Sequence, residues 1–156
     1  MRLLKRMLGD YSIRAAHAAD APQLADLCAE HAAFEQLSYS ALGHVQRLAQ
    51  ALASQRLQAW LVSDAQAQPV GYASLTLDFG ALCAQPFAHL DCLYLRPQAR
   101  GQRLGQALML VVQAFARAQG VSQMQWQTPA WNAPAVRFYQ GMGASAVEKQ
   151  RFTWVL

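Results

Sequence analysis

Charge is scarce in this chain. Asp, Glu, Lys and Arg make up 14% of its 156 residues, against 54% hydrophobic. That ratio excludes a globally disordered chain, which stays open because it has little to bury. Cysteine is scarcer still. Cys28, Cys83 and Cys92 form an odd, widely spaced set without Cys-x-x-Cys or Cys/His ligand spacing. A disulfide framework is therefore excluded and no metal site is expected; reduced thiols fit a cytoplasmic location. Long apolar runs are missing as well, so no membrane span is expected. The basic opening, Met1 to Leu8, is interrupted by Lys5 and Arg6 and is too short for a secretory core. Residues 1–9 read as a flexible leader and 10–156 as one domain. Acidic residues are outnumbered 9 to 13, which gives a net charge of +4. A basic chain can meet nucleic acid, a membrane surface or an anionic cofactor. No basic stripe with interleaved aromatics accompanies the charge, so neither nucleic acid nor membrane is expected as a partner.

What is present is a succession of short amphipathic elements. Tyr11-Ser-Ile-Arg14 alternates as a first strand. Asp20-Ala-Pro22 opens a helix bearing Leu24, Leu27, Cys28, His31 and Phe34 at helical spacing. A second helix is expected from Ser40, with Leu42, Val45, Leu48, Ala49 and Leu52 on its apolar face. Residues 59–62 and 70–77 read as strands joined by a polar connection, and 78–87 as a loop punctuated by Gly80 and Pro86. A strand over 87–95 runs into a glycine-bearing turn. A helix then spans about 103–119, with Leu104, Leu108, Val111 and Phe115 as its buried stripe and Gly120 as its cap. A strand at 124–127, a short helix at 132–140 and closing strands at 146–147 and 152–155 complete the pattern. The order predicts a mixed α/β (α+β) sheet, with an antiparallel first half and a parallel crossover over 87–127.

Two motifs carry chemistry. The first is Leu90-Asp91-Cys92-Leu93-Tyr94-Leu95-Arg96-Pro97-Gln98-Ala99-Arg100-Gly101-Gln102-Arg103-Leu104-Gly105-Gln106. It gathers backbone N–H groups at a helix N-terminus, where a phosphate or pyrophosphate can sit. By itself it is equally a plain strand–turn–helix junction. The second is Trp131-Asn132-Ala133-Pro134-Ala135-Val136-Arg137-Phe138-Tyr139-Gln140-Gly141-Met142-Gly143-Ala144, about one strand downstream.

Arg-Gly-x-x-Leu-Gly after a strand, followed by Asn-x-x-Ala-x-x-Phe-Tyr-x-x-x-Gly-Ala, resembles the GNAT superfamily of acetyl-CoA-dependent N-acetyltransferases. The fuller Trp-Asn-x-Pro-Ala form resembles its diamine branch. That branch includes the spermidine/spermine acetyltransferases and their thialysine-acetylating relatives. The match is strongest over 88–145 and weaker at 11–35, where Phe34-Glu35 resembles the branch's first helix. The resemblance implies a GNAT fold: a mostly antiparallel central sheet with splayed parallel strands, flanked by helices. It implies acetyl-CoA as co-substrate. Backbone groups of Leu93, Tyr94 and Leu95 would meet the pantetheine arm. The turn from Arg100 through Gly101, Gln102, Arg103, Leu104, Gly105 and Gln106 would hold the pyrophosphate. Asn132, with Ala135 in the same motif, would bond the pantetheine or order the loop beside it. Tyr139 would be the general acid and Asp91 the acidic base. Glu35 would face the acceptor as a substrate-pocket acid.

The residue types suit the reaction. A primary amine is mostly protonated near neutral pH and must lose a proton before it attacks. A carboxylate can take that proton directly or through water, and it attracts the cation. Direct attack needs no covalent enzyme intermediate, so no cysteine is required as nucleophile. Most of the superfamily has glycine at the place of Arg103, whose guanidinium can either crowd the pyrophosphate or pair with it. Asp91 is shorter than the branch's glutamate, which favours a water relay. The expected acceptor is a small-molecule amine: a polyamine, a diamine or an amino-acid side chain. The competing readings are a protein or peptide N-acetyltransferase and a non-catalytic acyl-CoA sensor. By analogy with the branch, a homodimer is expected.

Overall fold

The computed structural model describes residues 2–156. Five strands form one sheet in chain order: β1 Ser12–Ala15, β2 Gln58–Ser63, β3 Pro69–Gly80, β4 Gln85–Leu95 and β5 Met124–Gln125. The first four are antiparallel, and β5 joins β4 in parallel. Helix α4, Leu104–Ala118, supplies the crossover between them, as a parallel pair requires. The helices α2, Ala21–Phe34, and α3, His44–Ala53, lie on one side of the sheet. Their Leu24, Leu27 and Leu52 pack with Leu61, Tyr72 and Tyr94. On the other side Leu104, Leu108, Met109 and Val112 pack with Val62, Ala73, Leu75 and Leu90. Helix α5, Ala133–Gly141, adds Phe138 and Tyr139 there. Arg2–Leu8, read from the sequence as a leader, forms helix α1, whose Leu8 packs against this same core.

One irregularity in β4 positions the site. Ser74 pairs with Cys92 while the next residue, Leu75, pairs with Leu90. Asp91 is thus an extra residue, a β-bulge. A bulge shifts side-chain alternation by one residue. Before it, Ala88 and Leu90 join the core beneath α4; after it, Leu93 and Leu95 do. Cys92 and Tyr94 are thereby turned toward α2.

Four sequence expectations change. The loop over 78–87 is mostly strand, because β3 and β4 extend as a hairpin with a turn at 81–84. The second helix begins at His44 rather than Ser40, after Gly43 at φ +66°, and Leu42 is exposed, not on an apolar face. Strand β5 is two residues long. The closing strands at 146–147 and 152–155 do not form: no regular element follows α5, and Val147, Phe152, Trp154 and Val155 are all exposed. Alternating apolar residues make a strand only beside an edge to pair with, and within this chain the tail meets none.

Candidate active site

The bulge gives Asp91 its surroundings. Ser74, buried beneath it, donates its hydroxyl to Asp91 Oδ2 at 3.3 Å, and the Cys92 thiol approaches the same oxygen at 3.5 Å. Burial, reinforced by the Asp91 charge, pushes the Cys92 thiol up to about 12. Burial also raises the Cys28 thiol. Both are held as thiols at neutral pH, which removes them as nucleophiles.

Helix α2 brings a second carboxylate to this face. Glu35 follows the last residue of α2 and lies 3.3 Å from Nε2 of His31, one helical turn earlier. The other ring nitrogen of His31 is 3.0 Å from the Tyr72 hydroxyl, and its ring stacks on Tyr94 at 5.1 Å. Burial lowers the His31 pKa, against the raising effect of Glu35 and Asp91. Burial drives the Tyr72 phenol far upward, so it stays protonated.

The opposite wall is built for a long anionic ligand. Strand β5 pairs with β4 only at Ala88 and His89. Leu93, Tyr94 and Leu95 pair with β3 on one side and have no strand on the other. That open edge can accept an extended amide-bearing arm. The strand then turns through Pro97–Ala99 to Gly101, at φ +74°, and Arg103, at φ +61°. Among the described residues, no backbone N–H from Gly101 to Gln106 donates within this turn, and the first bond of α4 is Ala107 N–H to the Arg103 carbonyl at 3.0 Å. A row of free N–H groups at a helix N-terminus is the donor set a pyrophosphate requires. Leu104 is buried, so it offers backbone only. A Cβ on Gly105 would come within 3.3 Å of Phe138 Cζ, so glycine there lets α5 close on α4.

The side chains of several of these residues have partners within the chain. The Arg100 guanidinium lies over the Phe34 ring at 4.6 Å, and its Nε donates to the Leu95 carbonyl at 2.9 Å. It thus faces α2 and engages one carbonyl of the open edge. Gln102 donates its amide to the Gln98 carbonyl at 3.0 Å, closing the turn. Asn132 caps α5 by accepting from Ala135 N–H at 3.3 Å.

Tyr139 packs edge-on against Trp126 and Phe138, with ring centroids 5.2 and 5.1 Å away. Burial, with smaller contributions from Glu35 and Cys92, pushes its hydroxyl up to about 12. The phenol therefore retains its proton at neutral pH. Sequence reasoning missed the Ser74–Asp91 bond and the Tyr72–His31–Glu35 chain. The i, i+4 spacing of His31 and Glu35 was the available signal for the second.

The family model described as the acetyltransferase (GNAT) family matches residues 24–144. This chain belongs to the GNAT acetyltransferase family. It is an acetyl-CoA-dependent N-acetyltransferase, and the open β4 edge and the α4 N-terminus fit that co-substrate. A thialysine N-epsilon-acetyltransferase from Caenorhabditis elegans is 24% identical over 119 residues, 76% of this chain and 73% of that protein. Among solved structures, an aminoglycoside acetyltransferase from an uncultured soil metagenomic sample, in complex with trehalose, superposes with a TM-score of 0.80. It is 17% identical, covering 94% of this GNAT chain and 97% of the other. An aminoglycoside N-acetyltransferase in complex with CoA gives 0.78 at 18% identity, covering 93% and 94%. At such identities the structural likeness speaks for the fold.

Proposed function

We propose that this GNAT enzyme acetylates a primary amine of a small cationic molecule: a polyamine, a diamine or an amino-acid-like side chain. The observation that carries the reading is the pair of carboxylates, Asp91 on the bulge and Glu35 at the end of α2. Asp91 is held by the Ser74 hydroxyl at 3.3 Å and Glu35 lies 3.3 Å from His31, whose pKa both carboxylates raise against burial. Two negative charges on one face attract an ammonium group. The similarity to a thialysine N-epsilon-acetyltransferase favours an amino-acid-like acceptor.

Acetyl-CoA supplies the acetyl group as a thioester. N–H groups from Gly101 to Gln106 hold its pyrophosphate, with Arg103 beside them, and the open backbone of Leu93–Leu95 lines its pantetheine arm. Asp91 accepts the proton of the arriving ammonium, directly or through water. Tyr139 holds a proton at its hydroxyl for the departing thiolate. The neutral Cys28 and Cys92 leave direct attack as the route.

The enzyme works as a cytoplasmic homodimer in this reading. Its support is the uncovered tail after Ala144 together with the free outer edge of β5. Beside that edge runs a groove of about 260 Å³ lined by Met109, Met124, Trp126 and Met142.

The test is CoA release from acetyl-CoA against thialysine, lysine, spermidine, putrescine, an aminoglycoside and short peptides. Turnover of a small amine that is lost in Tyr139→Phe supports the reading. Turnover of peptides alone replaces it with a protein N-acetyltransferase. Acetyl-CoA binding without any turnover replaces it with a sensor.

A further inference from the structure

We propose that His31 is the positioning residue of the acceptor site, fixing the Glu35 carboxylate through a part-buried Tyr72–His31–Glu35 chain of close polar contacts so that it receives the acceptor's ammonium group. The inference rests on the small-amine reading above and assigns a task to a histidine that the transfer step itself does not use.

The chain has one polarity. A carboxylate only accepts hydrogen bonds. For a neutral ring, the 3.3 Å approach of His31 Nε2 to Glu35 Oε1 is favourable when Nε2 carries the hydrogen. In a neutral imidazole Nδ1 is then the acceptor, and the Tyr72 hydroxyl 3.0 Å away is the donor. The hydrogen-bond network assigns this tautomer. Burial holds His31 neutral and Tyr72 protonated, in keeping with that assignment. Stacking on Tyr94 at 5.1 Å and an interplanar angle of 21° fixes the ring plane. The charged groups acting on the ring are Glu35 from its own helix, Asp91 from β4 and Arg100 from the turn.

Glu35 has a reason to need holding. It stands at the C-cap of α2, where the helix presents partial negative charge. Asp91 adds a second carboxylate to the same face. Among the described residues, no Lys or Arg pairs with Glu35, whose close partner is the neutral His31; Arg96, by contrast, pairs with Glu30. Local electrostatics thus oppose a carboxylate at this point. A cation bound beside Glu35 and Asp91 relieves the conflict, and the His31 N–H holds the side chain in place until it arrives. Glu35 also adds to the upward shift of the Tyr139 hydroxyl.

The experiment compares His31→Leu, which has no N–H, with His31→Gln, whose amide can replace Nε2–H. Steady-state kinetics use acetyl-CoA with thialysine and with spermidine. Losing one hydrogen bond to a charged group predicts a roughly 10- to 100-fold rise in amine KM for His31→Leu. The acetyl-CoA KM stays within about twofold, and His31→Gln recovers most of the loss. A ¹⁵N-imidazole spectrum of the unsubstituted enzyme, which needs no folded variant, should show the Nε2–H tautomer shifting when spermidine is added. An unchanged amine KM in His31→Leu overturns the proposal, as does an Nδ1–H tautomer. If the unsubstituted enzyme turns over no amine, the parent reading falls instead, and the tautomer still judges the His31 chain separately.

Discussion

At the scale of single residues, Tyr139 carries the largest expected effect. Tyr139→Phe keeps the ring against Trp126 and Phe138 and removes only the hydroxyl. In the role of general acid proposed for it, its loss should lower kcat by about 10²- to 10⁴-fold. Amine KM and melting temperature should barely move, as steady-state kinetics and thermal unfolding would record. A variant that melts early yet turns over normally would make Tyr139 a packing residue. A second residue-scale prediction concerns acid stability. Arg14 grips Asp20 with two hydrogen bonds of 2.8 and 2.7 Å and holds its carboxyl down to about 2, from an ordinary 3.8. A carboxyl depressed by folding stabilises the native state above its unfolded pKa, and the benefit vanishes as pH falls through the folded value. Asp20→Asn should therefore cost stability at pH 7 and progressively less as pH falls from about 4 through about 2. Arg14 is half exposed, so the cost should be about 1 kcal/mol or less. Chemical unfolding at several pH values would read it.

Elements raise different questions. The bulge in β4 has its consequence in register: deleting Asp91 would restore simple alternation and rotate Cys92 and Tyr94 away from α2, or else Leu90 and Ala88 away from α4. Either outcome exposes core residues and buries others without space. The deletion should lower stability by several kcal/mol, on the order of the cost of losing large core side chains, and circular dichroism melts would reveal it. Asp91→Ala, which keeps the residue count, should melt near the parent temperature and lose turnover. The N-terminus of α4 offers a milder test. Arg103 has φ +61°, a backbone region that costs a side-chain-bearing residue about 1–2 kcal/mol. Arg103→Gly should raise the melting temperature and, by removing a cation beside the pyrophosphate donors, raise the acetyl-CoA KM most clearly at low salt.

For the whole molecule, the open question is the tail. The matched family segment ends at residue 144. Beyond it Val147, Phe152, Trp154, Val155 and Leu156 remain exposed. Aromatic side chains bury about 150–250 Å² each when covered, so two tails and two grooves approach the roughly 1,200–2,000 Å² of a stable interface. Removal of residues 146–156 should leave unfolding of the single chain nearly unchanged and convert a dimer to a monomer in light scattering. A full chain that is itself a monomer would overturn the dimer reading.

The sequence by itself determined the two motifs, the order of the main elements and the parallel crossover, because each rests on local spacing: Gly101 and Gly105 in the turn, the apolar stripe of α4, Asn132 ahead of α5. Its reading of the acidic groups as Asp91, Glu35 and Tyr139 was also local, borrowed from a motif. Tertiary structure alone decided what surrounds them. A bulge is visible only when β3 supplies the register, so the Ser74–Asp91 bond and the turning of Cys92 and Tyr94 toward α2 could not be read in advance. The Tyr72–His31–Glu35 chain spans 41 positions between its tyrosine and histidine, a separation that no local pattern encodes. The closing strands failed for the same reason in reverse. Alternation in 146–155 is written in the residues, but a strand exists only where another edge lies beside it.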